Sequence, residues 1–171
     1  AILSLESHRN KAIVVGEDLF ILPRYVRTYM ARHGLHRMYV MQYELLSDFQ
    51  RALRTVPADV VASLNTHDMP PFAAFWQGLD IEDRLELGLL DKASARIEQE
   101  TRQALRKHLV GLLQHKDWAD KSWQETQAVL MSILAFLGAS PAYAVLVNLE
   151  DLWLESEPQN VPSTGEERLN W

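Results

Sequence analysis

The fold of this chain is limited first by four short apolar runs that alternate with longer amphipathic segments. The runs span residues 12–16, 38–43, 60–64 and 142–147. Each run is rich in β-branched or aromatic residues and almost continuously apolar, which is typical of strands buried on both faces of a parallel sheet. The sequence therefore predicts four buried strands with helices between them.

Helical patterns fill the gaps between the first three runs. Pro23 suits the first turn of a helix that runs to about His33, and Gly34 is a natural terminator. A second helix is predicted over residues 45–54. Strand, helix, strand, helix, strand is the alternation of an α/β protein with right-handed crossovers, so a barrel or an open sheet is implied.

The gap between the third and fourth runs is too long for one crossover helix. Apolar residues at spacings of three and four predict an amphipathic helix over residues 97–112 and another over residues 123–137. We therefore predict a mainly helical insertion over residues 69–141, within a single domain that covers residues 1–171.

Composition narrows the class of function. The 171 residues include no cysteine, which excludes disulfides, thiol nucleophiles and cysteine-ligated metal sites. A net charge of −6 without a basic block disfavours binding to nucleic acid or to an anionic membrane. No apolar stretch approaches the roughly 20 residues that span a bilayer. We expect a cytoplasmic protein that acts on an uncharged substrate.

Metal and cofactor sites are not predicted. The six histidines never fall into a metal-binding spacing such as HExxH. The seven glycines form neither a dinucleotide-binding nor a phosphate-binding loop. We therefore expect chemistry that depends on side chains alone.

Two acidic residues come directly after strand-like runs. Glu17 follows the first run, and Asp68 follows the third run next to His67. Barrel enzymes keep catalytic groups at such strand ends, and paired acids cleave sugar bonds. A carboxyl partly withdrawn from water there can act as a general acid, and Asp18 is interpreted as a structural acceptor of backbone hydrogen bonds. Spacing alone leaves open that these are loop acids, helix caps and an ordinary histidine.

Aromatic residues close to these ends are candidate platforms for sugar rings, whose apolar faces stack on indole and phenyl groups. Phe72, Phe75 and Trp76 follow Asp68 closely, and Trp153 follows the fourth run. Trp76 is taken as a substrate-binding candidate. Packing in the core is an equally good interpretation of each ring.

Four ordered motifs cover nearly the whole chain. They are Val15-Gly16-Glu17-Asp18-Leu19 with Pro23-Arg24-Tyr25-Val26-Arg27, then Met38-Tyr39-Val40-Met41-Gln42-Tyr43, then Thr66-His67-Asp68, and finally Asn148-Leu149-Glu150-Asp151-Leu152 with Gln159-Asn160-Val161-Pro162-Ser163-Thr164 and Asn170-Trp171. Together they resemble strands five to eight of the amylomaltases or 4-alpha-glucanotransferases, glycoside hydrolase family 77.

The resemblance implies that the chain is the C-terminal half of a (β/α)8 TIM barrel, about strands five to eight, with a helical insertion before the last strand. It implies Glu17 as the acid/base and Asp68 as the transition-state stabiliser, with His67 and Asn160 as substrate ligands. The family's nucleophilic aspartate lies on strand four, upstream of these residues, so the N-terminal half of the barrel is an implied partner.

The implied activity is transfer of α-1,4-glucan segments between malto-oligosaccharides or starch and glycogen-type glucans, by a retaining double displacement without cofactor or metal. The sequence departs from the family at three places. Phe20 and Ser163 replace glycines, and residues 44–48 lack a clear match to an acidic residue. Two alternatives stay open: a non-catalytic relative that binds glucan, and a half-barrel that needs a second polypeptide.

Overall fold

The computed structural model of this chain describes residues 2–19, 21–46, 52–116 and 125–171. Its helices are α1 (Ile2–Asn10), α2 (Arg24–Arg32), α3 (Met41–Glu44), α4 (Phe72–Gln77), α5 (Leu79–Glu86), α6 (Lys92–His115), α7 (Thr126–Gly138) and α8 (Leu149–Leu152). Its strands are β1 (Arg37–Val40), β2 (Val60–Ser63) and β3 (Ala144–Leu146).

The three strands form a parallel sheet in the order β1, β2, β3, which confirms the α/β class and the parallel pairing. Arg37 pairs with Val60 at the start of β1, and Ala62 pairs with Val145 in β3. Every residue of β2 is buried, as expected for the central strand of the sheet. The C-terminal ends of all three strands reach one edge, which we call the carboxyl edge.

The first apolar run joins this sheet less completely than predicted. Val15 forms an isolated parallel bridge with His36, supported by hydrogen bonds from Gly16 N to His36 O at 2.9 Å and from His36 N to Val14 O at 3.0 Å. Ile13 and Val15 are 53% and 38% exposed. Because little packs on this run within the described chain, it pairs at one point instead of forming a long strand.

The second run is shorter than predicted, because the chain leaves β1 after Val40 and enters the helical turn α3. There Met41 is fully buried, and Gln42 N donates a hydrogen bond to Leu64 O at 3.1 Å. The prediction of a helix over residues 45–54 falls partly on residues 47–51, outside the described part of the chain. Its described ends are extended and form an antiparallel bridge, which corrects the prediction there.

Helix α2 follows its prediction closely. It begins after Pro23 and ends before His33, and Gly34 takes the left-handed conformation, with φ of +64°, that favours glycine. Helix α1 has no counterpart among the predicted elements. It buries none of its residues, and its apolar side chains Ile2, Leu3 and Leu5 are exposed.

Between β2 and β3 the described residues form helices α4 to α7. Helix α6 extends the predicted helix over residues 97–112 at both ends. It begins where the Asp91 carboxylate accepts hydrogen bonds from Ala93 N and Ser94 N. Helix α7 confirms the next predicted helix from Thr126 onward, while Trp123 lies outside the described residues. The division of the chain into one domain with an insertion over residues 69–141 stays a prediction.

The core lies between β2 and the helices that follow it. Helix α4 buries most of its side chains and contacts α5 and α7. Members of the cluster include Tyr39, Met41, Val60, Ala62, Leu64, Phe72, Trp76, Leu109, Leu113, Leu130, Ile133 and Leu137. No helix in the described part of the chain is long and apolar enough to cross a membrane.

Trp76 belongs to this core and not to an open surface. Its side chain is 2% exposed, its ring stacks on Phe72 at 5.7 Å between centroids, and the Arg106 guanidinium lies 4.8 Å from its ring centroid. A ring covered in this way has no free face for a sugar. The structure therefore corrects the assignment of Trp76 as a substrate-binding residue, and core packing describes its position.

We predict different outcomes for two substitutions of Trp76 in the full-length protein. Trp76→Ala removes a large buried ring and should lower the free energy of unfolding by about 3–5 kcal/mol. Trp76→Phe keeps most of the packing and removes an indole N–H that is buried without a hydrogen-bond partner, so it should cost much less. Chemical denaturation measures both. A raised KM for glucan in Trp76→Phe with unchanged stability would contradict the core position.

Candidate active site

Side chains from successive strand ends meet at the carboxyl edge. Glu17 follows the bridged residues of the first run, Tyr43 follows β1 and Asp68 follows β2. Burial raises the pKa of the Tyr43 phenol, and the negative charges of Asp68 and Glu17 raise it further. Both acids therefore lie close enough to the same phenol to act on its ionisation. Glu17 and Asp68, the two acids selected from the sequence, thus both act on the Tyr43 phenol.

Glu17 is held in place through its neighbour Asp18. The Asp18 carboxylate is almost fully buried and accepts hydrogen bonds from Arg27 Nε at 2.9 Å and from Met38 N at 3.0 Å. Arg37 Nη1 lies 3.8 Å from the same carboxylate. These contacts fix the backbone beside Glu17 against α2 and β1. Asp18 thus accepts a backbone hydrogen bond as predicted, with a donor from β1 and not from the local turn.

The Glu17 side chain itself is exposed. A general acid at this position was expected to be partly withdrawn from water, and the described residues do not provide that cover. Glu17 thus lies at the carboxyl edge with its side chain open to solvent in the described part of the chain.

Asp68 lies among partners from distant parts of the sequence. Its Oδ1 accepts a hydrogen bond from Asn160 Nδ2 at 2.6 Å and lies 3.4 Å from His67 Nε2. The backbone N–H of Asp68 donates to Thr66 Oγ1 at 3.3 Å. The ring of His67 lies 5.4 Å from the ring of Trp171. His67, Asp68 and Asn160 thus form one polar cluster.

The segment that carries Asn160 is folded into a closed loop, which we call the 159–171 loop. Trp171 N donates to Gln159 O at 2.8 Å, and Asn170 Oδ1 accepts from Val161 N at 3.1 Å. Arg168 donates to Asp83 of α5 through a contact of 2.5 Å. The loop is therefore tied both to itself and to the helices, which limits the positions that Asn160 can take.

A cleft of about 450 Å³ runs along this cluster. Asp68, Asn160 and Tyr43 line it together with Phe75 and Arg102 of the helical segment. The volume falls within the range of about 300–1,000 Å³ that is usual for ligand sites. Carboxylate, guanidinium, amide and aromatic groups therefore line the cleft, and all of them can contact a ligand with many hydroxyls.

No group of three or more His, Cys, Asp or Glu in the described ranges is arranged to hold a metal ion. Sequence reasoning overlooked two residues that the fold brings to the site. Tyr43 was assigned only to a strand, although its place as the last aromatic of that run marked it as a strand-end residue. Trp171 was noted only as part of a motif, and nothing in its local sequence indicates that it reaches His67.

Comparison with known proteins shows to which family the chain belongs. The sequence profile of glycoside hydrolase family 77, described as 4-alpha-glucanotransferase, matches residues 1–171. This chain belongs to the 4-alpha-glucanotransferase family.

Similar proteins cover the whole of this chain. A 4-alpha-glucanotransferase of Mycobacterium bovis is 33% identical over 182 residues, covering 99% of this chain and 24% of that protein, and one of Mycobacterium tuberculosis gives the same values. A 4-alpha-glucanotransferase of Haemophilus influenzae is 28% identical over 179 residues, covering 100% of this chain and 26% of that protein. The chain spans about a quarter of the length of these relatives.

A solved structure shares the fold. The crystal structure of amylomaltase from Corynebacterium glutamicum matches with a TM-score of 0.81 and 24% identity, over 99% of this chain and 26% of that one. The arrangement of parallel strands and helices described above is thus also the fold of a segment of that protein.

Ser163 of the 159–171 loop adopts a φ of +71°, in the left-handed region that favours glycine. We predict that Ser163→Gly stabilises this loop locally by about 0.5–1 kcal/mol, the steric cost of the Cβ less the greater backbone entropy of glycine. Amide hydrogen exchange of residues 159–171 in the full-length protein should slow by about two- to fivefold. Ser163→Ala keeps the Cβ and should give no gain. Equal slowing in both variants would contradict the steric explanation.

Proposed function

We propose that this chain is part of a 4-alpha-glucanotransferase that transfers α-1,4-glucan segments between malto-oligosaccharides or starch and glycogen-type glucans. The observation that carries this proposal is the cluster at the carboxyl edge. There Asp68, bound by Asn160 and adjacent to His67, shares the neighbourhood of Tyr43 with Glu17. Membership of the family supplies the chemical class of the substrate.

The proposed architecture is the C-terminal half of a (β/α)8 barrel, about strands five to eight. Exposed apolar side chains support it, because they lie where further strands and helices would pack. Leu146 of β3 is 60% exposed at one side of the sheet, and Ile13 is 53% exposed at the other. Ile2 and Leu3 of α1 are 78% and 60% exposed. The partner that we propose for these surfaces is the N-terminal half of the same barrel.

In the proposed reaction, Glu17 is the acid/base and an aspartate from the N-terminal half is the nucleophile. Glu17 protonates the glycosidic oxygen as that aspartate attacks the anomeric carbon, and a covalent glycosyl-enzyme forms. Glu17 then removes a proton from a hydroxyl of the acceptor sugar, which attacks the intermediate. Two displacements retain the anomeric configuration, and they require the two carboxyl groups to be about 5–5.5 Å apart.

Asp68, His67 and Asn160 bind the sugar at the cleavage point in this proposal. A carboxylate held by an amide donor can accept strong hydrogen bonds from sugar hydroxyls. Those bonds strengthen as the ring flattens toward the oxocarbenium-like transition state, and this difference lowers the barrier. The Glu17 side chain would gain its cover from the N-terminal half, since water exclusion favours the protonated acid that the first step requires.

We predict that Glu17→Gln in the full-length protein lowers the rate of glucan transfer by at least about 10²-fold, because the amide can neither donate the catalytic proton nor accept one. Disproportionation of maltotriose measures the rate, and chemical denaturation should show unchanged stability. Glu100→Gln is the matched control, since Glu100 lies on the exposed face of α6 and pairs with Arg96. Near-normal transfer by Glu17→Gln would refute the assignment.

The isolated 171-residue chain should show no transfer, because the proposed nucleophile and half of the barrel lie outside it. Release of glucose from maltotriose measures transfer, and isothermal titration with maltoheptaose measures binding separately. Binding without transfer fits the proposal. Transfer by the purified chain alone would show that its own residues complete the catalytic set.

A further inference from the structure

Asp151 is a fully buried carboxyl group for which the reaction described above has no use. It lies in the short helix α8, after β3, and its relative exposure is 0%. Burying a carboxylate is costly unless its oxygens are well bonded, and an apolar residue would fill the same space without that cost. The position therefore calls for an explanation in terms of the groups that the carboxylate binds.

Asp151 binds two donors that are far from it in sequence and close to one another. Its Oδ1 accepts a hydrogen bond from Phe72 N at 2.7 Å, and its Oδ2 accepts one from Asn65 Nδ2 at 3.1 Å. Asn148 Nδ2 donates to Asn65 Oδ1, which leaves the Asn65 amide group facing Asp151. Burial raises the pKa of Asp151, and the bonds from Phe72 N and Asn65 oppose this increase.

These two donors mark the two ends of one loop. Asn65 follows the end of β2, and Phe72 is the first residue of α4. Residues 66–71 lie between them and include His67 and Asp68. The Asn65 amide also contacts Pro70 O at 3.4 Å, and the Gln42 amide donates to the same carbonyl at 3.4 Å. A single buried carboxylate thus binds both ends of the loop, and the Asn65 and Gln42 amides contact Pro70 near its C-terminal end.

We propose that Asp151 is the positioning residue for the loop of residues 66–71, and that through this loop it sets the location of the Asp68 carboxylate in the cleft. The inference rests on the proposed function, in which Asp68 stabilises the transition state. Catalytic groups need support of this kind, because a displacement of about 1 Å can cost on the order of 10² in rate.

The variant Asp151→Asn tests this in the full-length protein. Asparagine can still accept the hydrogen bond from Phe72 N, but its amide group then faces the amide donor of Asn65. We expect the kcat for maltotriose disproportionation to fall by about 10- to 100-fold, with KM changed by less than about threefold. A loss confined to KM, or a kcat equal to that of the parent, would overturn the inference.

A double-mutant cycle separates positioning from a general structural role. If Asp151 acts through Asp68, then Asp151→Asn should change kcat by less than about twofold in a protein that already carries Asp68→Asn. If the two losses multiply, Asp151 does not act through Asp68 and the proposal fails. Near-normal activity of Asp68→Asn alone would instead refute the proposed function, so the two failures are distinguishable.

Two further variants complete the experiment. Asp91→Asn is the matched control, because Asp91 also accepts backbone N–H groups at a helix start but lies on the surface at α6. It should leave kcat unchanged.

If Asp151→Asn does not fold, Asn148→Ala provides a second test, because it removes the donor that orients Asn65. This variant should lower kcat by about threefold or more. This loss should also disappear in the Asp68→Asn background, and its persistence there would refute the proposal.

Discussion

Parallel pairing of β1, β2 and β3 is the constraint on which the remainder of this structure depends. Parallel strands all end at the same edge of a sheet, so the residues that directly follow the strands lie near one another. Asp68 is thereby brought to Tyr43, and the bridge of the first run to His36 brings Glu17 to the same edge. The central strand is fully buried, and residues of α4, α6 and α7 share its core cluster.

The cluster at this edge depends on a second level of structure. Glu17 and Asp68, the two acids at the carboxyl edge, are each accompanied by a buried aspartate that accepts a hydrogen bond from a backbone N–H. Asp18 ties the segment of Glu17 to β1, and Asp151 ties both ends of the loop that carries Asp68. Burying a carboxylate costs solvation free energy. Here each buried carboxylate accepts hydrogen bonds from donors on neighbouring elements. The segments that carry the exposed acids Glu17 and Asp68 are thus held by hydrogen bonds to buried aspartates.

Much of the framework could be predicted from the sequence because periodicity reports local burial. Apolar continuity located β2 and β3 to within a few residues, and the spacing of apolar residues located α2, α6 and α7. The errors came where tertiary contacts overrode the local pattern. The chain turns into α3 because Met41 enters the core, and the first run stays a single bridge because little covers it. The aromatic character of Trp76 is compatible both with core packing and with stacking on a sugar. The tertiary contacts place its ring in the core.

The order of the motifs along the chain fixed the family, the strand ends and the selection of Glu17, His67, Asp68 and Asn160 as site candidates, because these depend on residue identity and spacing. Only the folded chain decided which of them meet. Asn160 reaches Asp68 across 92 positions, and Asn65 and Phe72 share the carboxylate of Asp151 although 86 and 79 positions separate them from it. Such contacts are set by the packing of whole elements, and no local pattern in the sequence encodes them.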